Sequence, residues 1–160
     1  MKKLLAVLVA AVVLVAIGVS AAVSGGDSRN VLKFDAMAPV VAPYTGATNP
    51  IRGINGGGVA WVIGSAHGRL RADGRLTVEV EGLVLASSGA NPVATFKAIV
   101  SCLSTDGTTP TTVNVSTDPV PATPTGDAEI NATVDLPTPC IAPIVFVTSG
   151  GGSWFAATGR

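Results

Sequence analysis

Residues 61–86 read WVIGSAHGRLRADGRLTVEVEGLVLA and predict a β-hairpin. Residues 72–74, Ala-Asp-Gly, separate two runs of alternating character, and glycine suits the left-handed conformation that a tight turn requires. A two-residue loop would mix apolar and polar residues on each face. A three-residue loop with a bulge at Gly74 pairs Leu70 with Leu76 and keeps apolar residues together, so we predict this second register.

The predicted register divides the hairpin into a buried face and a wet face. It pairs Ala66 with Val80 and Val62 with Val84 on the buried face. Beyond Ile63, away from the turn, both faces are apolar. We therefore expect the half near the turn to be half-exposed and the far half to be buried on both sides. The wet face carries Ser65, His67 and Arg69 opposite Glu81, Glu79 and Thr77.

Further strand-like runs follow the hairpin at short spacing. Residues 129–136 alternate cleanly, with Ile130 and Val134 on the opposite face from Glu129 and Asp135. Outside the N-terminal segment, no stretch keeps a helical period for three turns. The sequence therefore predicts an all-β fold, an antiparallel two-sheet Greek-key or immunoglobulin-like sandwich of seven or eight strands, with a closed barrel as the alternative. The other runs span residues 93–103, 111–117, 144–148 and 154–158.

The composition limits the possible classes of function. The chain has 160 residues, enough for one domain, and only 12% of them are charged, with ten Lys and Arg against ten Asp and Glu. Because there is no basic excess to neutralise phosphates, we predict no nucleic-acid partner. The 19 glycines and 11 prolines favour many short strands joined by turns.

The N-terminus has the pattern of a secretory signal peptide. Lys2 and Lys3 precede an uncharged apolar run over residues 4–19, and small residues follow at 20–24. We predict a signal helix within residues 1–24, cleavage near Ser24 and a secreted, extracellular protein. The alternative is an uncleaved anchor over residues 4–24, since about 20 apolar residues can span a bilayer. Only this alternative involves a membrane.

Three segments are predicted along the chain. Residues 1–24 form the signal peptide, and residues 25–58 form an irregular segment, rich in proline and glycine, with a short edge strand at Val40 and Val41. Residues 59–160 form the core of the sandwich, in a single domain with 25–58. We interpret the Thr- and Pro-rich residues 104–126 as loops around one strand rather than as an interdomain linker.

The two cysteines predict one disulfide, Cys102 to Cys140. In an oxidising compartment an even pair is most simply a bond, and two cysteines allow one connectivity. Closing a loop of nearly forty residues stabilises the fold by about 4 kcal/mol in the chain-entropy model. A metal or catalytic thiol pair is the alternative, and it lacks further ligands in the sequence.

We predict no catalytic, cofactor-binding or metal-binding residues. Ser-Ala-His-Gly at 65–68 is similar to the sequence around the histidine of chymotrypsin-like serine proteases, but no nucleophile motif accompanies it. His67 is therefore interpreted as a surface partner of Glu79. Blue copper needs two histidines, and the chain has one. The aspartates 106, 118 and 127 lack a calcium-loop spacing and are interpreted as turn formers.

Two tryptophans follow glycine runs. Residues 55–58 and 150–152 precede Trp61 and Trp154, without a P-loop lysine or a following helix that would hold phosphate. These loops would either present the indoles to a glycan or peptide, or feed strands whose aromatics fill the core. We predict the second arrangement, because isolated aromatics in an aromatic-poor domain are usually buried.

Four segments resemble a group of small secreted proteins of soil bacteria. They are RGINGGG at 52–58, RADGRL at 71–76, VSCL at 100–103 and APIVFVT at 142–148. The resemblance extends over most of the chain after the signal peptide. It implies export and a common fold, and it supplies no activity, ligand or functional residue.

The expected function is therefore that of a secreted, non-enzymatic domain. It would act by surface binding, or as an envelope-associated protein, on an extracellular or envelope ligand that the sequence does not identify. One alternative is a small extracellular hydrolase that uses Glu79 and Glu81, which share a strand face with their carboxyls about 6 to 7 Å apart. The other is a domain tethered by an uncleaved N-terminal helix.

Overall fold

The computed structural model describes residues 29–159, and this range is all-β, with no helix. It contains twelve strands rather than the expected seven or eight, because four of them are two-residue pairings. The predicted signal peptide lies outside the described residues. The strands are β1 (Asn30–Phe34), β2 (Ala38–Pro39), β3 (Trp61–Val62), β4 (Ser65–Arg71), β5 (Arg75–Glu81), β6 (Val84–Leu85), β7 (Thr95–Thr105), β8 (Pro110–Ser116), β9 (Val120–Pro121), β10 (Ala128–Thr133), β11 (Ile141–Ser149) and β12 (Trp154–Ala157).

The strands form two larger antiparallel sheets and one small ladder. The first sheet has the order β1-β4-β5-β10, and the second has the order β2-β12-β11-β7-β8, with β9 also paired to β7. Strands β3 and β6 pair only with each other. Leu70 and Val78 of the first sheet and Phe96 and Val145 of the second are fully buried in one apolar core. The arrangement is β-sandwich-like.

The hairpin has the predicted register. Leu70 pairs with Leu76, Ala66 with Val80, and Val62 with Val84. The pairing is interrupted after β5, at Gly82 (φ +65°) and Leu83, and resumes as β3 and β6.

This interruption changes which side chains face the core. Trp61, Leu83 and Val84 are buried beyond it, whereas Val62, which pairs with Val84, is 45% exposed. The expectation that the far half is buried on both sides is therefore wrong at Val62. The cause is the interruption at Gly82 and Leu83, because alternation predicts which side chains face the core only along an unbroken strand.

The short edge strand lies two residues before the predicted position. Strand β2 (Ala38–Pro39) is the edge of the second sheet, whereas Val40 and Val41 were predicted to form it. Val40 still donates its N–H to Phe155 O at 2.8 Å, but the chain then turns away from β12. The clean alternation in β10 is confirmed, with Ile130 buried and Glu129 exposed.

The predicted disulfide between Cys102 and Cys140 is present. Cys102 is in the centre of the second sheet, and Cys140 immediately precedes β11, which pairs with β7. The enclosed loop holds β8, β9 and β10, of which β8 and β9 pair with β7. Residues 104–126 are therefore part of the domain and not a linker.

Both tryptophans are buried, as predicted. Trp61 is 2% and Trp154 is 3% exposed. Trp61 stacks on Phe155 with ring centroids 3.9 Å apart, and Phe96 approaches both rings edge-on. The glycine runs thus lead into strands whose aromatic side chains fill the core.

Candidate functional site

The outer face of the first sheet concentrates the charge of the domain. Strands of the second sheet carry one charged residue, Lys97. Strands of the first sheet carry seven, and all three glutamates of the chain are among them. The outer face, called here the polar sheet face, comprises Lys33, Ser65, His67, Arg69, Arg71, Arg75, Thr77, Glu79, Glu81, Glu129, Asn131 and Thr133.

The strand register places like charges directly opposite each other on the polar sheet face. Lys33 of β1 lies opposite Arg69 of β4, and Glu79 of β5 lies opposite Glu129 of β10. Like charges in direct cross-strand positions destabilise a sheet. Apart from Arg75, which pairs with Asp73 beside the turn, cations therefore collect on one half of the face and carboxylates on the other, at some cost to the fold.

His67 lies where the two halves meet. Its Nε2 is 3.0 Å from Glu79 Oε2, and the two side chains are 55% and 44% exposed. The predicted cross-strand pair is therefore confirmed. Because both groups are well solvated, such a pair contributes little to stability.

Ser65 and Glu81 form a separate pair beside it. Ser65 Oγ donates to Glu81 Oε2 at 2.9 Å, so the hydroxyl points at a carboxylate and not at His67. Acyl transfer by a serine needs a hydrogen bond from the nucleophile to its base. The side chains that resemble a serine-protease motif are thus divided between two cross-strand pairs.

Two shallow depressions lie on the two halves of this face. One, of about 240 Å³, is lined by Lys33, His67 and Arg69 together with the carboxylate-bearing Asp35. The other, of about 350 Å³, is lined by carboxylate-bearing residues that include Glu79, Glu81 and Glu129. A basic and an acidic concavity therefore adjoin each other across the His67–Glu79 pair.

Asp127, which lines the acidic depression, is held by hydrogen bonds from Gly82 and from its own loop. Its carboxylate accepts hydrogen bonds from Gly82 N–H at 2.9 Å and from the hydroxyls of Thr125 and Thr123 at 2.7 and 3.1 Å. The backbone donor of Gly82 lowers the pKa of Asp127 most, and the two threonines lower it further. Asp127 thereby ties the β9–β10 connection to Gly82, the residue at which the pairing of the hairpin is interrupted.

Asp106 has a similar role in the β7–β8 turn. Its carboxylate accepts from Thr109 N–H, Thr108 N–H and Thr108 Oγ1, and these bonds lower the pKa of Asp106 to about 2. The turn-forming interpretation is therefore confirmed for Asp106 and Asp127. Within residues 29–159, no group of three or more His, Cys, Asp or Glu side chains is arranged to hold a metal ion.

The structure shows one constellation that the sequence reasoning missed. Strand β11 has a bulge between Ile141 and Ile144, opposite β7. The guanidinium of Arg52 donates to Ser101 O at 2.9 Å and to Ala142 O at 2.7 Å. It thereby bridges two backbone carbonyls beside the bulge. The available signal was an arginine inside a Gly-rich loop, but nothing nearby in the sequence identifies its acceptors.

The described residues define an all-β, disulfide-bonded domain of β-sandwich-like architecture with a polarised sheet face. Comparison with known protein families, curated proteins and solved structures gave no match to this chain. Between residues 29 and 159, no helix of the length and apolarity needed to cross a membrane occurs.

Proposed function

We propose that this chain is a secreted, non-enzymatic domain that acts by surface contact outside the cell or at the envelope, and that the polar sheet face is its contact surface. The disulfide supports a location outside the cell or at the envelope, because such bonds persist in oxidising environments. The apolar run and small residues of the N-terminus support export by a signal peptide cleaved near Ser24. We further propose an immunoglobulin-like Greek-key topology for the sandwich.

The observation that carries the proposal is the pair of like-charge oppositions. In a chain with 12% charged residues, Lys33 opposes Arg69 and Glu79 opposes Glu129. A ligand that places anionic groups against Lys33 and Arg69 and cationic groups against Glu79 and Glu129 would relieve both repulsions on binding. Electrostatic complementarity of this kind gives specificity and a fast association rate.

The ligand chemistry follows from the polarity of the face. A carboxylate or phosphate would contact Lys33 and Arg69, and an amine or guanidinium would contact Glu79 and Glu129. A zwitterionic envelope polymer or an extended polypeptide with separated charges carries both groups. The exposure of His67 and Glu79 means that such a ligand binds on an open surface and not in an enclosed pocket.

The test uses isolated cell envelope of the native host as the probe. Wild-type protein is expected to co-sediment with the envelope at low salt and to be released as salt rises, because exposed charges are screened. A variant with Lys33→Gln, Arg69→Gln, Glu79→Gln and Glu129→Gln is expected to lose at least ten-fold in apparent affinity. The control, Lys97→Gln, removes the one charge carried by the strands of the second sheet and is expected to bind as wild type.

Two results would reject this assignment. Equal sedimentation of the neutralised variant and the control would show that the polar sheet face is not the contact surface. Hydrolysis of the same envelope preparation by the protein, dependent on Glu79 and Glu81, would reject the non-enzymatic hypothesis in favour of the hydrolase alternative. The intact mass of the protein recovered from the host, starting near residue 25 or at Met1, separates a released domain from a tethered one.

A further inference from the structure

Strand β8 is an open edge of the second sheet. It pairs with β7 over seven consecutive residue pairs, from Ile99 with Ser116 to Thr105 with Pro110, without a bulge. No described strand pairs with its other side. Most of its side chains are exposed, and it carries no charge between Pro110 and Ser116.

The other edges of the two sheets have features that discourage pairing. Strand β1 has a bulge and carries Lys33, and β2 is two residues long and contains Pro39. Strand β10 carries Glu129, so pairing it with the same strand of another copy would bring a second Glu129 carboxylate to this edge. Charges, prolines, bulges and short length are the usual protections of an edge strand. Along the seven residues of β8, the protection is limited to Pro110 at its first position.

The backbone groups of β8 that point outward follow from its register. Thr117 N–H bonds to Ala98 O at 3.0 Å, so residue 117 faces β7. Because hydrogen-bonding direction alternates along an antiparallel strand, residues 113 and 115 also face β7. The N–H and C=O groups of Thr112, Asn114 and Ser116 therefore point away from the sheet.

We propose that β8 pairs antiparallel with the β8 strand of a second copy of this chain, about a two-fold axis at Asn114. This register places Thr112 of one copy opposite Ser116 of the other. The three outward residues then satisfy each other's N–H and C=O groups. A second copy fits this edge because the strand is uncharged, so self-pairing opposes no like charges in any register, whereas at β10 each copy would add a Glu129 carboxylate.

The proposal goes beyond the contact function of the polar sheet face and does not depend on it. The pairing joins two copies through their second sheets, and the polar sheet face belongs to the first sheet. Each copy keeps its charged face open. Two linked copies would engage a repetitive ligand with higher avidity than one.

The test is cysteine cross-linking of the chain as recovered from its host, which reads the register directly. Directly opposed residues in a hydrogen-bonded pair have Cα atoms about 5.5 Å apart, within disulfide range. Asn114→Cys is therefore expected to form disulfide-linked dimers at least ten-fold faster than Thr133→Cys, an exposed control on β10. Thr112→Cys alone is expected to form no disulfide-linked dimer, since its two copies would be about 14 Å apart. Mixing Thr112→Cys with Ser116→Cys is expected to give a heterodimer.

Correct folding of each variant is checked by the presence of the Cys102–Cys140 bond in a peptide map. Asn114 Nδ2 donates to Arg52 O, and the mixed pair at 112 and 116 avoids that contact if Asn114→Cys fails to fold. Sedimentation of the unmodified protein provides the second readout. It should show a concentration-dependent dimer that Thr112→Pro abolishes, because proline removes an outward N–H without breaking the ladder to β7.

The proposal is overturned if the unmodified chain remains monomeric at all concentrations, or if Asn114→Cys cross-links no faster than Thr133→Cys. A dimer that survives Thr112→Pro would also overturn it, since it would form through another surface. These outcomes are separate from envelope binding, because neither Thr112 nor Asn114 belongs to the polar sheet face.

Discussion

Arg52 donates a hydrogen bond of 2.7 Å from its guanidinium to the backbone oxygen of Ala142, 90 positions along the chain. Among residues 29–159, these two are the non-glycine residues with positive φ, at 51° and 46°. Left-handed backbone is unfavourable for side chains other than glycine, by about 1–2 kcal/mol per residue. The bond therefore joins the two strained positions of the domain, and each holds the other in place.

Arg52→Ala is expected to destabilise the domain by about 3 kcal/mol, because it leaves the carbonyls of Ser101 and Ala142 without their charged donor. Urea unfolding followed by tryptophan fluorescence measures the change. Arg69→Ala, on the open polar sheet face, is the control and should cost about 0.5 kcal/mol or less. Similar losses for the two variants would show that Arg52 does not support the bulge.

Ala142→Gly is expected to leave the free energy of unfolding unchanged or to raise it by about 0.5 kcal/mol, since glycine relieves the positive φ and offsets its entropic cost. The comparison is Ala132→Gly, in the regular strand β10, which should lower that free energy by about 1 kcal/mol. If both variants lose the same amount, the left-handed conformation at residue 142 carries no strain.

Gly74→Ala should be much more damaging than Gly152→Ala. Both glycines have positive φ, at 82° and 93°, so each substitution costs about 1 kcal/mol in backbone strain. A Cβ at residue 74 would also collide with Val134 O, whereas nothing lies near one at residue 152. We expect a total loss of about 3 kcal/mol for Gly74→Ala. Equal thermal unfolding temperatures for the two variants would contradict the close approach of the hairpin turn to Val134.

Removal of the disulfide in a Cys102→Ala, Cys140→Ser variant is expected to cost about 4 kcal/mol, from the loop entropy of the 38-residue separation. The reduced wild-type protein should lose a similar amount. The free energies come from urea titrations with and without reductant. A loss below about 1 kcal/mol would mean that β7 and β11 are held together by their ladder alone.

Asp127→Asn should remove a pH-dependent part of the stability. Because Gly82 N–H and two threonine hydroxyls hold the folded pKa of Asp127 below its ordinary value of 3.8, the carboxylate stabilises the fold above about pH 4. That contribution is lost as the pH falls through the lowered folded pKa. The difference in stability between wild type and variant should therefore be largest near neutral pH and shrink below pH 4. Urea titrations from pH 7 to 2 measure it, and a constant difference would exclude this linkage.

The hairpin and its wet face could be predicted from local sequence. The position of Gly74 and the alternation on either side of it determine that His67 meets Glu79, because a register error of one residue would bury the charged face. The same reasoning gave the clean alternation in β10 and the burial of both tryptophans. It failed where the chain departs from regular alternation, at Val62 and at the edge strand β2.

The sequence by itself determined the all-β class, the hairpin register, the disulfide and the charge carried by each strand. Only the tertiary structure decided that β1 and β10 flank the hairpin, and hence that Lys33 meets Arg69 and Glu79 meets Glu129. It also decided that Arg52 pairs the carbonyls at the β11 bulge and that β8 is an open edge. The physical reason is range: turn and alternation rules act over a few residues, whereas these contacts join segments 36 to 90 positions apart in the chain, and their partners are selected by how the whole core packs.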